Sequence, residues 1–103
     1  MLNNTENLQR LIEVIAKLRS SEGCPWDREQ THQSLRQNFI EETYEAVDAI
    51  DENNMKELKE ELGDVLLQVV LHSQIASEAG EFNIDDVAKN ITEKLLRRHP
   101  HVF

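Results

Sequence analysis

Apolar residues recur every three or four positions over most of the chain, and this spacing predicts four helices. Leu8, Leu11, Ile12, Ile15 and Leu18 share one face of a helix over residues 5–20, with Thr5 or Asn4 as its cap. The stretch "SSEGCPWD" then breaks the pattern at Gly23 and Pro25. A second helix covers 31–51, opened by a capping box, either Asp27 with Gln30 or Ser34 with Gln37. "ENN" forms a turn. A third helix covers 55–79 and stops at Gly80. Asn83 caps a fourth over 84–98, which Pro100 ends. No segment alternates with the two-residue period of a half-buried strand. The fold class is therefore all-α, and the short connections between helices two, three and four predict antiparallel neighbours in a four-helix bundle-like domain over 1–103.

At roughly 100° per residue, the second helix lines up Leu35, Phe39, Ala46 and Ile50, and the third lines up Met55, Leu58, Leu62, Leu66, Val69 and Ser73. Those two stripes are the expected packing faces. From Leu62 to Ile75 the third helix is apolar nearly all round. Such a helix is buried on more than one side, which a chain of 103 residues struggles to achieve alone. A homodimer or higher homo-oligomer that uses this helix is expected.

Composition narrows the partners. A net charge of −9 argues against a nucleic acid polymer and against an anionic membrane. It leaves room for a phosphorylated small molecule if metal ions bridge the two negative partners. The longest nearly apolar run, "VLLQVVL", is too short to span a bilayer, and the N-terminus lacks the pattern of a signal peptide, so a cytoplasmic protein is expected. A single cysteine, Cys24, excludes an internal disulfide and a multi-cysteine zinc site.

The acids are not evenly spread. Residues 41–64, "EETYEAVDAIDENNMKELKEELGD", hold ten of the chain's twenty carboxylates. Most such runs are solvated helix faces. Here, however, Glu42 borders the apolar stripe of the second helix and Glu45 lies on the same side, while Glu41 and Asp48 face solvent. On the third helix Glu61 borders the stripe, with Asp64 one turn along. Two packed antiparallel helices can bring Glu42, Glu45, Glu61 and Asp64 together. Four carboxylates at a half-buried edge either take up protons or bind a cation. Oxygen-only ligands suit a hard ion, Mg²⁺ or Mn²⁺.

The pattern Glu41-Glu42-x-x-Glu45, a gap, then Glu61-x-x-Asp64, with "GCPWD" at 23–27 and "KLLRRHPHVF" at 94–103, resembles the MazG family of nucleoside triphosphate pyrophosphohydrolases. The resemblance implies an all-α domain that hydrolyses a nucleoside triphosphate to the monophosphate and pyrophosphate with Mg²⁺. It implies Glu42, Glu45, Glu61 and Asp64 as catalytic metal ligands, with Glu41 behind them. It also places Lys94 and Arg98 at the nucleotide, with Arg97 a third cation, and it implies a dimer. Without the resemblance, those three cations equally fit a helix C-terminus. Trp26 fits either stacking on a base or, more commonly for a lone tryptophan in a turn, a packing anchor. Asn38 stands where many relatives carry lysine, and many related domains continue past "HPHVF". The competing expectation is a dimerisation module with a vestigial metal site. His72 is expected on the surface of the third helix, and His99 and His101 at the chain end.

Overall fold

The computed structural model describes residues 5–103, and every regular element among them is a helix. All four expected helices are present. They are α1 (Glu6–Leu18), α3 (His32–Asp51), α4 (Met55–Glu78) and α5 (Ile84–Arg98). Thr5 takes the N-cap position of α1; the alternative cap, Asn4, lies outside the described residues. A fifth, α2 (Pro25–Glu29), occupies the stretch expected to be an irregular break. Pro25 is its first residue, where a fixed φ suits a helix start and the missing N–H costs nothing.

Local chemistry explains the ends. Gly23 sits so close to the Lys17 and Leu18 carbonyl oxygens that a Cβ would collide with them. The Cys24 N–H then donates to the Leu18 carbonyl at 2.8 Å, so the Gly-Cys-Pro run folds the chain back under α1. The cap of α3 differs from both expected boxes. Thr31 is extended, its hydroxyl accepts from the Ser34 N–H at 3.1 Å, and the Ser34 hydroxyl accepts from the Thr31 N–H at 2.8 Å. Serine at the third helical position closes the box here in place of the usual Glu or Gln. The turn at 52–54 holds Asn53 at φ 54°, and the Asn54 side chain caps α4 by accepting from Glu57 N–H. Gly80, at φ 72°, ends α4, and Asn83 with Asp86 forms the expected start of α5.

α4 is the central element and packs against α3, α1 and α5. Ile15, Leu35, Val70 and Leu71 form the core, ringed by Leu11, Ile12, Leu18, Leu67, Ile75 and Ile84. These residues gather where the first half of α3 meets the second half of α4. The other half of that hairpin, towards the turn, carries little cover. Ile50, Met55, Leu62 and Leu66, all expected to pack inward, are exposed, as are Tyr44 and Val47. The reason is that α4 is apolar on several sides. Within the chain its buried line runs through Glu61, Gln68, Val70, Leu71, Ser73 and Ala76 instead.

Arg19, just past α1, ties three elements together. Its guanidinium pairs bidentately with Glu78 at the end of α4, both contacts at 2.9 Å. It also donates to the Asp27 and Gln30 carbonyls around α2. Nothing in the helical periodicity singles out this residue.

Candidate active site

Glu42 and Glu45 lie one turn apart on α3, and Glu61 faces them from α4. Each of the three offers a carboxylate oxygen within 4.8 Å of those of the other two. The short turn at 52–54 sets the register that makes them meet, and small residues let the helices close up, since Ala46 and Ala49 beside them are buried. Glu61 is only 8% exposed, Glu42 is half-buried, and Glu45 is open to solvent. One oxygen on Glu42 and one on Glu61 are enclosed and have no hydrogen-bond partner among the described residues.

The electrostatics follow from that crowding. Burial, together with carboxyl–carboxyl hydrogen bonding to Glu45 and Glu57 and repulsion from Glu45 and Asp64, pushes Glu61 up to about 7. Glu42 is also raised, first by burial and then by the charges of Glu45 and Asp64. Asp64 is exposed and stands outside the tight trio, yet its charge acts on both Glu42 and Glu61. Glu41 points outward as expected and accepts from Gln37. Glu57 lines an acidic cavity of about 440 Å³ with Glu45, Asp48, Glu52 and Glu61. Its position one turn before Glu61 is the signal that could have found it.

Buried carboxylates that hold protons to unusually high pH, with enclosed oxygens lacking donors, are a donor set short of positive charge. A hard divalent ion meets that need, because it takes oxygen ligands and needs no hydrogen-bond donor.

The expected cations are not part of this cluster. Lys94 is half-buried and Arg97 and Arg98 are exposed in the last turn of α5. Among the described residues the ion pairs are Lys17–Glu22 and Arg19–Glu78, so none of the three pairs with the four acids. Trp26 is 59% exposed on α2, so it does not anchor packing within this chain. His72 is not a plain surface residue: its Nδ1 lies 2.7 Å from Nδ1 of His32, and its Nε2 is enclosed. His99 and His101 contact each other at the chain end, as expected.

Comparison with known proteins bears on this geometry. A family model described as a MazG nucleotide pyrophosphohydrolase domain matches residues 30–103, the portion that carries all four acids. The chain is 61% identical over 95 residues to a Thermotoga maritima protein named nucleoside triphosphate pyrophosphohydrolase/pyrophosphatase MazG, covering 92% of this chain and 37% of the relative. It is 47% identical over 97 residues to an Escherichia coli nucleoside triphosphate pyrophosphohydrolase, covering 93% of this chain and again 37% of the relative. An uncharacterized Bacillus subtilis protein, YabN, is 61% identical over 90 residues, which is 87% of this chain and 18% of that protein. The chain thus spans well under half the length of the curated relatives it matches. Among solved structures, the crystal structure of a mazG-related protein from Thermotoga maritima superposes with a TM-score of 0.77 at 28% identity, covering 92% of this chain and 82% of that one.

Proposed function

The chain belongs to the MazG nucleotide pyrophosphohydrolase family, and from that premise we propose that it hydrolyses nucleoside triphosphates to the monophosphate and pyrophosphate, with Mg²⁺ held by Glu42, Glu45, Glu61 and Asp64. The observation that carries this reading is the pair of enclosed, partnerless oxygens on Glu42 and Glu61, within a trio of converging carboxylates. Mn²⁺ satisfies the same donor set. Once bound, the ion supplies positive charge to the phosphate oxygens and offsets the charge that develops at the α-phosphorus.

The chain's own residues do the rest. Glu61, the most buried acid, fixes the floor of the cradle from α4. Glu42 closes it from α3, and Asp64 adds charge at its rim. Glu45 is the acid of the trio open to solvent. It, or Glu42, accepts the proton of the attacking water. Lys94 and Arg98, with Arg97 beside them, hold the phosphates, and the exposed ring of Trp26 stacks on the base. Glu41, turned outward, acts at most through its neighbours. A nucleotide substrate fits a cytoplasmic protein that tends the nucleotide pool.

A homodimer is part of this reading. The chain exposes 8026 Å², against about 6,000 Å² for a compact monomer of its mass. The exposed surface includes the bare apolar hairpin around Tyr44, Met55, Leu62 and Leu66. The same surface favours one competing reading, in which the chain serves as a dimerisation module and its metal site is vestigial.

Pyrophosphate release from a panel of ordinary, deoxy and oxidised nucleoside triphosphates in Mg²⁺ separates the two. Turnover that disappears in Glu42→Ala and in Asp64→Ala supports the enzyme. A wild-type chain that dimerises but releases no pyrophosphate from any nucleotide supports the module.

A further inference from the structure

The imidazoles of His32 and His72 lie apart from the acids, and the hydrolysis proposed above makes no use of them. Their Nδ1 atoms are 2.7 Å apart, their rings are within 4° of parallel, and their centroids are 5.0 Å apart. Phe39 stacks on His72 at 5.5 Å, and His72 Nε2 is enclosed without a hydrogen-bond partner among the described residues. At this distance the two facing nitrogens have room for one hydrogen. One Nδ1–H donates and the other Nδ1 accepts through its lone pair. That arrangement exists when both rings are neutral, and it survives one added proton on the pair. A second added proton puts a hydrogen on both facing nitrogens, and attraction becomes repulsion.

The pair's place in the fold gives this chemistry a consequence. His32 is the first residue of α3, and His72 lies in the second half of α4. The 52–54 turn joins the two helices covalently at one end of the hairpin, and the imidazoles join them near the other. We propose that His32 and His72 form a proton-operated clasp, closed by one shared hydrogen and opened by the second added proton, which frees the first turn of α3 from α4.

Charged groups approach the pair from α3 and from around α2. Arg36 and Tyr44 of α3 share the groove beside His72. On α4 the residues three and four positions from His72 are Gln68, Val69, Ile75 and Ala76, none of them charged. Arg19, beyond α1, reaches the Gln30 carbonyl two residues before His32 with its charge offset by Glu78, while Glu29 at the end of α2 is exposed to screening solvent. Burial, and then the charge of His32, hold His72 below the ordinary imidazole value of 6.5, so opening falls on the acid side of it.

The clasp stands on geometry that involves none of the four acids, so it can fail or hold independently of the hydrolytic reading. The test is amide hydrogen exchange by NMR on the whole chain in chelator at pH 7.5 and 5.0. The probes are Ser34 and Leu35, whose N–H groups bond back to Thr31. Their protection factors are expected to fall at least tenfold relative to Val70 and Leu71 as pH drops. In His72→Phe, which keeps a ring against Phe39 but takes no proton, the fall is expected to vanish. His32→Gln, which still offers a donor to His72, is expected to behave the same way and decides the matter if His72→Phe does not fold. Equal protection at both pH values in the wild type, or an undiminished fall in a folded variant, overturns the clasp.

Discussion

Glu61 shows most clearly what the crowded acids cost without a metal. Its folded value, about 7, lies above its ordinary 4.5. The folded state therefore holds this proton more tightly than the unfolded chain does. The stability it contributes is fully present below pH 4.5 and is lost as pH rises through about 7. Denaturant unfolding in chelator at a series of pH values should show that loss, and Glu61→Gln should flatten it. Mg²⁺ at pH 8 should restore stability to the wild type and not to the variant. In turnover, Glu42→Gln should lower kcat/KM by at least about 100-fold, the scale seen when one preorganised electrostatic group is removed. Pyrophosphate release at saturating Mg²⁺ measures it. A smaller residue matters for a different reason. Gly23→Ala forces a methyl into the carbonyls that end α1, and such overpacking costs about 1–3 kcal/mol. The midpoint of urea unfolding reads it directly.

Among the elements, the helices were legible because their signals are local. Asn54, Asn83 and Gly80 act where they stand, through bonds to residues three to five positions away. The capping box of α3 was not legible, because Thr31 and Ser34 cap reciprocally without an acid or amide at the third position. The join between α1, α2 and α4 was not legible, since Arg19 meets Glu78 across 59 positions. Its side chain is 6% exposed and its partner's 39%. Arg19→Ala leaves the Glu78 carboxylate and the Asp27 and Gln30 carbonyls without their shared donor, and it should cost about 1–3 kcal/mol. Glu78 is held below its ordinary 4.5, chiefly by the hydrogen bond from Arg19. That depressed value makes the pair's contribution present above pH 4.5 and lost as pH falls through the lower folded value. The gap in Tm between wild type and Arg19→Ala should therefore shrink at strongly acid pH.

For the whole molecule, the radius of gyration is 15.7 Å, against about 13 Å for a compact chain of this length. The half of the hairpin that carries the acids projects from the core with its apolar side chains bare. If a second copy covers them, Leu62→Lys or Leu66→Lys should convert the protein to a monomer in sedimentation. The wild-type Tm should also rise with protein concentration. Both variants leave the four acids in place.

The sequence by itself determined the all-α class, four of the five helices and the facing positions of Glu42, Glu45 and Glu61, because caps, turns and three-to-four-residue periodicity act within a few positions. It also supplied the family, through motifs that keep order and spacing. Tertiary structure alone decided which side of α4 is buried, since a helix apolar on several sides has no single inward face until its neighbours dock. It alone set Glu61 deep and Asp64 at the rim, drew Glu57 towards them, and brought His32 against His72. Each of those outcomes depends on two helices meeting in one register, and spacing within a single helix does not encode that register.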